Sequence, residues 1–190
     1  MTNTPPTPNA ASAGVPNPER SGRDPAILIA TGFGLGLVPH APGTAGSLGA
    51  VALFVPLLLS LENPFIQLTY FVALVMMALA AVWSVEQALP HWSTEDPQSV
   101  VIDEILGQFL TYGGLVLAAT LGRPPASAAA GWIFLLVGFI LFRSFDVLKP
   151  FPLRHAERLP GAAGVLLDDT LAGVYAGAAL TLLAWSGWLK

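Results

Sequence analysis

The chain has 190 residues, of which 54% are hydrophobic and 11% charged, and its formal net charge is −4. Soluble domains carry about 25% charged residues, so this chain has too little polar surface to cover a soluble globule. It contains eight Lys and Arg residues and no basic patch with interleaved aromatics, which argues against nucleic-acid binding. The absence of cysteine excludes disulfides, thiolate metal sites and cysteine-nucleophile chemistry.

Long apolar runs predict membrane-spanning helices. Residues 65–83, 105–121 and 170–189 are uncharged over 19, 17 and 20 residues, and a helix needs about 20 residues to cross a hydrocarbon core. The runs show no alternation of polar and apolar residues, which favours helices over a β-barrel. The predicted fold class is therefore all-α, a polytopic helical membrane protein with about five spans (four to five).

The N-terminal segment differs in composition from the rest. Residues 1–24 contain five prolines among small polar residues, and such a segment buries too little apolar area to offset its ordering entropy. It also lacks the basic start and apolar core of a signal peptide. We predict a disordered tail at 1–24 and a single helical membrane domain at 25–190.

The predicted elements follow in chain order. Glycines interrupt the apolar segment 27–38, which predicts a short interfacial or re-entrant helix, and residues 39–46 are predicted to form a loop. The first span is predicted at 47–61, with a kink at Pro56. Further spans are predicted at 65–83, 105–121, 126–148 and 167–189.

The distribution of basic residues predicts the orientation. With five spans and the N-terminus inside, six basic residues lie on the cytoplasmic side and two outside, as the positive-inside rule requires. The six are Arg20, Arg23, Arg143, Lys149, Arg154 and Arg158, and the two are Arg123 and Lys190. This orientation also places five acidic residues and the glycine-rich segment on the cytoplasmic face, which predicts an active site there.

Asp103 and Glu104 form the first acidic motif, at the start of an apolar helix. Acids at membrane depth are costly and usually face a cavity or a partner. The alternative is that both simply stabilise the positive end of the helix dipole.

Two further motifs carry charge near predicted span ends. Arg143, Asp146 and Lys149 recur every three residues and share one helical face, which is also compatible with a self-neutralising ion pair. Asp168 and Asp169 begin the last apolar span. One of them could serve only as an N-cap, but two adjacent carboxylates exceed what a cap needs.

Five gathered carboxylates would repel one another unless a cation held them. An all-oxygen ligand set suits Mg²⁺. The three histidines, His40, His91 and His155, show no ligand spacing and argue against zinc. The segments 31–36 and 42–47 are rich in glycine, and Ser47 stands where a helix N-cap would create an anion site. Close helix packing is the other use of such glycines in lipid.

Five motifs of this chain together resemble those of the phosphatidylglycerophosphatase A family and occur in the same order, over residues 31–173. They are the TGFG start, the PGTAGS loop, the DE pair, FDVLKPFP and GVLLDD. The resemblance implies a Mg²⁺-dependent lipid phosphatase of the bacterial inner membrane that converts phosphatidylglycerophosphate to phosphatidylglycerol. The expected catalytic and metal-binding residues are Asp103, Glu104, Asp146, Asp168 and Asp169. The expected phosphate-binding residues are Thr44, Gly46, Ser47, Arg143, Lys149 and Arg154.

Other functions fit the sequence less well. A small membrane transporter or channel with an acidic cation site would place acids near mid-span, whereas these acids lie at span ends. An alcohol phosphotransferase would carry a D-G-x-x-A-R run, which is absent. A membrane scaffold without catalytic activity would not need five gathered carboxylates.

Overall fold

The computed structural model describes residues 24–92, 97–156 and 159–188, and every regular element in these ranges is helical. The predicted all-α class is therefore confirmed. The predicted N-terminal tail lies outside the described residues except for Asp24, whose Oδ1 accepts a hydrogen bond from Ala26 N and caps the first helix.

Five long helices form the bundle, and two short helices lie at its ends. The short helices are α1 (Pro25–Ala30) and α6 (Leu153–Ala156). The long helices are α2 (Pro42–Leu58), α3 (Pro64–Ala88), α4 (Ile102–Thr120), α5 (Ala128–Leu148) and α7 (Ala162–Ser186). Short 3₁₀ turns follow α1 at Leu35–Leu37 and α3 at Leu89–His91.

The long helices are suited to a bilayer. The segments Pro64–His91, Ala128–Leu148 and Ala162–Ser186 are each long and apolar enough to cross a membrane. The shorter α2 is also apolar, and α4 completes the five helices expected from the sequence. Large apolar side chains such as Phe65, Met76 and Leu182 are exposed on the outside of the bundle, where hydrocarbon would cover them.

Helices α2 and α7 each begin more than one turn earlier than the sequence predicted. Helix α2 begins at Pro42, so the prediction of a loop to residue 46 and of Ser47 as an N-cap is wrong. Proline is favoured in the first helical turn, and Ser47 lies one turn inside, where its hydroxyl donates to the Gly43 carbonyl at 3.0 Å. Helix α7 begins at Ala162 rather than 167, so Asp168 and Asp169 lie in its second turn and neither is the N-cap.

Helix α4 is the centre of the bundle. It contacts α2, α3, α5 and α7, and most of its side chains are buried. Hydrogen bonds hold it to two of these neighbours: Tyr70 of α3 donates its hydroxyl proton to the Phe109 carbonyl at 2.7 Å, and Tyr112 donates to the Leu135 carbonyl of α5 at 3.0 Å. Since lipid offers no alternative partner, such bonds help to fix the helix arrangement.

Helices α4 and α7 approach each other closely through facing small residues. A Cβ on Gly173 would lie 3.0 Å from Gly107 Cα, and a Cβ on Gly177 would lie 3.2 Å from the Thr111 carbonyl oxygen. Thr181 also donates its hydroxyl proton across the interface to the Gly114 carbonyl at 3.1 Å. Small residues permit this backbone approach, which is the usual means of helix association in membranes.

We therefore expect Gly177→Leu to destabilise the bundle by about 1–3 kcal/mol or more, because the new side chain has no room against α4. Ala178→Leu is the matched control, since Ala178 is exposed on the same helix. The measurement is the thermal midpoint of unfolding in detergent. Equal midpoints for the two variants would contradict the close packing of α4 on α7.

Candidate active site

Charged side chains gather in a cavity of about 530 Å³ at one end of the bundle. The helices α2, α4 and α7 point their N-termini toward it, and α5 ends there. Because helix N-termini carry partial positive charge and unpaired N–H groups, this end of the bundle favours anions. The five acids predicted from the sequence all line the cavity, together with Arg143 and Lys149: Asp103, Glu104, Asp146, Asp168 and Asp169.

Three of the five acids form a compact cluster. Asp103 and Glu104, in the first turn of α4, and Asp169 of α7 each offer a carboxylate oxygen, and these oxygens lie within 4.8 Å of one another. Asp103 and Asp169 are buried. At 4.8 Å two carboxylates repel by about 3 kcal/mol at an effective dielectric constant of about 20. The cluster therefore favours a cation between its members.

The other two acids pair with basic side chains. Asp146 Oδ2 lies 2.8 Å from Arg143 Nη1, one helical turn away on α5. Asp168 Oδ2 accepts a hydrogen bond from Lys149 Nζ at 2.7 Å, which links α5 to α7. The ion pair that the sequence left open as an alternative at the end of α5 is thus present between Arg143 and Asp146, and both residues line the cavity.

Lys149 owes its position to the end of α5. Its backbone adopts the left-handed conformation, with φ of 43°, and its N–H bonds to the Phe145 carbonyl at 2.8 Å. This conformation ends the helix and is uncommon for a residue with a side chain. The chain turns away here, and the lysine side chain reaches Asp168 on the neighbouring helix.

The geometry fits a hard divalent cation. The donor set consists of carboxylate oxygens only, and Mg²⁺ binds such oxygens at about 2.0–2.1 Å. The buried Oε2 of Glu104 has no hydrogen-bond partner among the described residues, so it is available as a ligand. In addition, five carboxylates against two cations leave a formal excess of three negative charges in the cavity lining. An anionic phosphate would be repelled unless a cation first reduced this charge.

The glycine-rich segment contributes less of the lining than the sequence suggested. Thr44 lines the cavity, but Gly46 and Ser47 do not. Gly46 packs against Val101, where a Cβ would lie 3.0 Å from Val101 Cβ, and Ser47 is buried and bonded within α2. Gly46 thus lets α2 approach the start of α4, and Ser47 is an interior residue of α2. Arg154 is exposed on α6 and is likewise outside the lining.

Gly43 is a site residue whose importance the sequence did not reveal. A Cβ at this position would overlap Glu104 Oε1 and would lie 3.4 Å from Arg143 Nη1. The glycine therefore lets α2 close over the Glu104 carboxylate. The signal was present in the sequence as part of the glycine-rich motif, but the contact with Glu104 depends on how α2 packs on α4.

Comparison with known proteins identifies the family. The family model for phosphatidylglycerophosphatase A matches residues 28–184. The chain belongs to the phosphatidylglycerophosphatase A family. This confirms the resemblance found in the sequence, and the matched region includes every charged residue of the cavity.

Three relatives bear on what this family member acts on. The phosphatidylglycerophosphatases A of Haemophilus influenzae and Escherichia coli are 38% and 31% identical to it, each over 80% of this chain and over 85% and 78% of their own lengths. A Bacteroides thetaiotaomicron protein named "Putative phosphatidylinositol-3-phosphatase" is 37% identical over 84% of this chain and 93% of its own. No solved structure matches the chain.

The crowded carboxylates make a prediction about stability. In EDTA, Asp169→Asn should raise the free energy of unfolding by about 1–3 kcal/mol, because the substitution removes one of three mutually repelling charges. Added Mg²⁺ should stabilise the wild type more than this variant. The measurement is the thermal midpoint in detergent with EDTA and with Mg²⁺.

The control for this prediction is Glu86→Gln, which neutralises an exposed acid on α3 and should leave both midpoints near those of the wild type. If Asp169→Asn were less stable than the wild type in EDTA, Asp169 would be stabilised by the fold itself and the cluster would need no cation.

Proposed function

We propose that this protein hydrolyses the terminal phosphomonoester of phosphatidylglycerophosphate to phosphatidylglycerol and phosphate, in a Mg²⁺-dependent reaction. The observation that carries the proposal is one cavity that combines a three-carboxylate cluster with Arg143 and Lys149 at one end of a membrane bundle. Membership of the phosphatidylglycerophosphatase A family and the names of two relatives support the lipid.

The ligand residues in this proposal are Asp103, Glu104 and Asp169. When bound there, Mg²⁺ would reduce the charge on the phosphate and polarise the phosphoryl group and a nearby water. A cation bound there would explain why the cluster consists of carboxylate oxygens. It would also reduce the negative charge of the cavity lining, which would otherwise repel the substrate.

The remaining charged residues position the phosphate. Arg143 and Lys149 offset its negative charge, and their pairing with Asp146 and Asp168 keeps both side chains directed into the cavity. Thr44, in the first turn of α2, offers a hydroxyl to a phosphate oxygen. Hydrolysis then forms a bond from water oxygen to phosphorus and breaks the bond from phosphorus to the glycerol oxygen, which takes up a proton.

The location of the cavity suits a lipid substrate. Large apolar side chains at the end of α5 are exposed beside Lys149, namely Val147, Leu148 and Phe151. Such residues would lie at the membrane surface, so the headgroup could enter the cavity while the acyl chains stayed in the bilayer. With the basic residues counted as above, we propose that the site faces the cytoplasm from the bacterial inner membrane, with the N-terminus inside.

The placement of the acids disfavours the transporter alternative. The acidic residues of the long helices lie at the helix ends rather than at mid-span. Five of them line the cavity, and the sixth, the exposed Glu86, lies near the C-terminal end of α3. A cation path through the membrane would need polar groups along its length. Gln108 is a buried polar side chain that lies deeper in α4, and its role is considered below.

The direct test is phosphate release from phosphatidylglycerophosphate in detergent micelles, with Mg²⁺ and with EDTA. We expect release that requires Mg²⁺ and falls by about 100-fold or more in Asp169→Asn, because loss of a ligand forfeits several kcal/mol of transition-state stabilisation. Glu86→Gln should retain wild-type activity.

The same assay with phosphatidylinositol 3-phosphate compares the lipid named for the Bacteroides relative. Faster phosphate release from the inositol lipid would show that the proposed substrate is wrong and that the proposed phosphatase reaction is right. Absence of release from either lipid by folded protein would refute the phosphatase proposal.

A second prediction concerns Gly43. We expect Gly43→Ala to lower kcat by about 10- to 100-fold, because the added methyl group displaces the Glu104 carboxylate and small misplacements of catalytic groups are costly. Gly49→Ala on the same helix is the matched control, since its methyl group would meet only the terminal carbon of the Leu35 side chain, which can move aside. Full activity in Gly43→Ala would show that the position of Glu104 does not limit the reaction.

A further inference from the structure

Gln108 is a buried polar residue that the proposed mechanism does not use. It lies in α4, its side chain is fully buried, and neither its amide oxygen nor its amide nitrogen has a hydrogen-bond partner among the described residues. Leaving a buried donor or acceptor unpaired costs about 1–3 kcal/mol. A glutamine that served only packing could be replaced by an apolar residue of similar size without this cost.

Gln67 and Thr111 are two buried polar side chains of the bundle that are hydrogen-bonded. Gln67 of α3 donates its amide proton to the Leu61 carbonyl at 2.8 Å and accepts a bond from Thr120 Oγ1 at 3.1 Å. Thr111, one turn along α4 from Gln108, donates its hydroxyl proton to the Gly107 carbonyl at 3.0 Å. Gln108 therefore differs from its neighbours in having both amide atoms unpaired.

The position of Gln108 points to Glu104. The two residues are four apart on α4 and so lie on the same face, one turn from each other. Helical side chains lean toward the helix N-terminus, so the Gln108 side chain leans toward the turn of α4 that carries Glu104. Glu104 Oε2 is itself buried and without a hydrogen-bond partner among the described residues. An ionised carboxylate only accepts hydrogen bonds, and a side-chain amide donates two.

We propose that Gln108 is a positioning residue whose amide N–H donates to a bridging water that in turn donates to Glu104 Oε2, and that this link holds the carboxylate in the orientation that binds the divalent cation. The inference rests on the cation site proposed above. Carboxylate ligands of metals are commonly oriented by such hydrogen bonds, and loss of the partner typically weakens metal affinity 10- to 100-fold. Gln108 thus acts on the reaction through Glu104 and need not touch the substrate.

The test compares Gln108→Met with Gln67→Met. Mn²⁺ serves as the probe because it also favours oxygen ligands, and electron paramagnetic resonance reports its binding to purified protein in detergent without any turnover. We expect Gln108→Met to weaken Mn²⁺ binding by about tenfold or more, while its unfolding midpoint in EDTA equals or exceeds that of the wild type. The Mg²⁺ concentration for half-maximal activity should rise in parallel.

Gln67→Met should show the opposite pattern. It removes two hydrogen bonds at the far end of the bundle, so its unfolding midpoint should fall while its Mn²⁺ affinity stays at the wild-type value. Gln108→Leu provides a second apolar substitution if the methionine variant does not fold.

Each outcome bears on a different proposal. If the wild type bound no Mn²⁺, the cation site itself would be wrong. If the wild type bound Mn²⁺ and Gln108→Met bound it equally well, the role of Gln108 would be overturned and the cation site would stand. Equal weakening in both variants, or failure of both Gln108 variants to fold, would assign Gln108 to the stability of the bundle and would also overturn its positioning role.

Discussion

The structure depends on the close approach of α4 and α7. A Cβ on Gly107 would lie 2.6 Å from the Asp169 carbonyl oxygen, and a Cβ on Gly173 would lie 3.0 Å from Gly107 Cα. Because both residues lack a side chain, the two backbones meet at the level of the acidic cluster. This contact brings Asp169 to Asp103 and Glu104 and so creates a three-carboxylate site from residues more than 60 positions apart.

The charges of the cavity divide into two groups with different physical roles. Asp103, Glu104 and Asp169 face one another and form the cation site that we propose. Two others hold Arg143 and Lys149. Both basic side chains are only partly exposed, and an ion pair offsets part of the cost of removing a charge from water. The same pairing leaves the two basic side chains in the wall of the same cavity, where they would offset the negative charge of a bound phosphate.

The membrane setting explains why such a small bundle suffices for a lipid phosphatase. The bilayer covers the exposed apolar side chains of α3, α5 and α7, so the protein needs only a narrow core around α4. Polar groups at the level of the hydrocarbon must find partners inside the protein, as Tyr70, Tyr112 and Gln67 do. Gln108 departs from this rule beside the proposed cation site.

The sequence by itself determined the helical class, the approximate positions of five long helices and the identity of the five acids and two cations of the cavity. Composition and uninterrupted apolar runs are sufficient for the first two, since lipid allows few spanning structures. The acids stood out because charges are rare in such a chain. The motif order also identified the family, which the family model confirmed.

Tertiary structure decided what each of these residues does. The sequence placed the starts of α2 and α7 too late, because the glycine and alanine residues there give little local signal for a helix start. Packing against α4 decides where these two helices begin. That error made Ser47 a predicted N-cap when it lies inside a helix. The division of the acids into a cluster and two ion pairs, the contact of Gly43 with Glu104 and the unpaired amide of Gln108 all depend on which helices touch. Sequence spacing relates residues along one helix, as for Arg143 and Asp146. It cannot supply the contacts of Asp169 with the acids of α4, of Lys149 with Asp168 or of Gly43 with Glu104, because each of these joins two different helices.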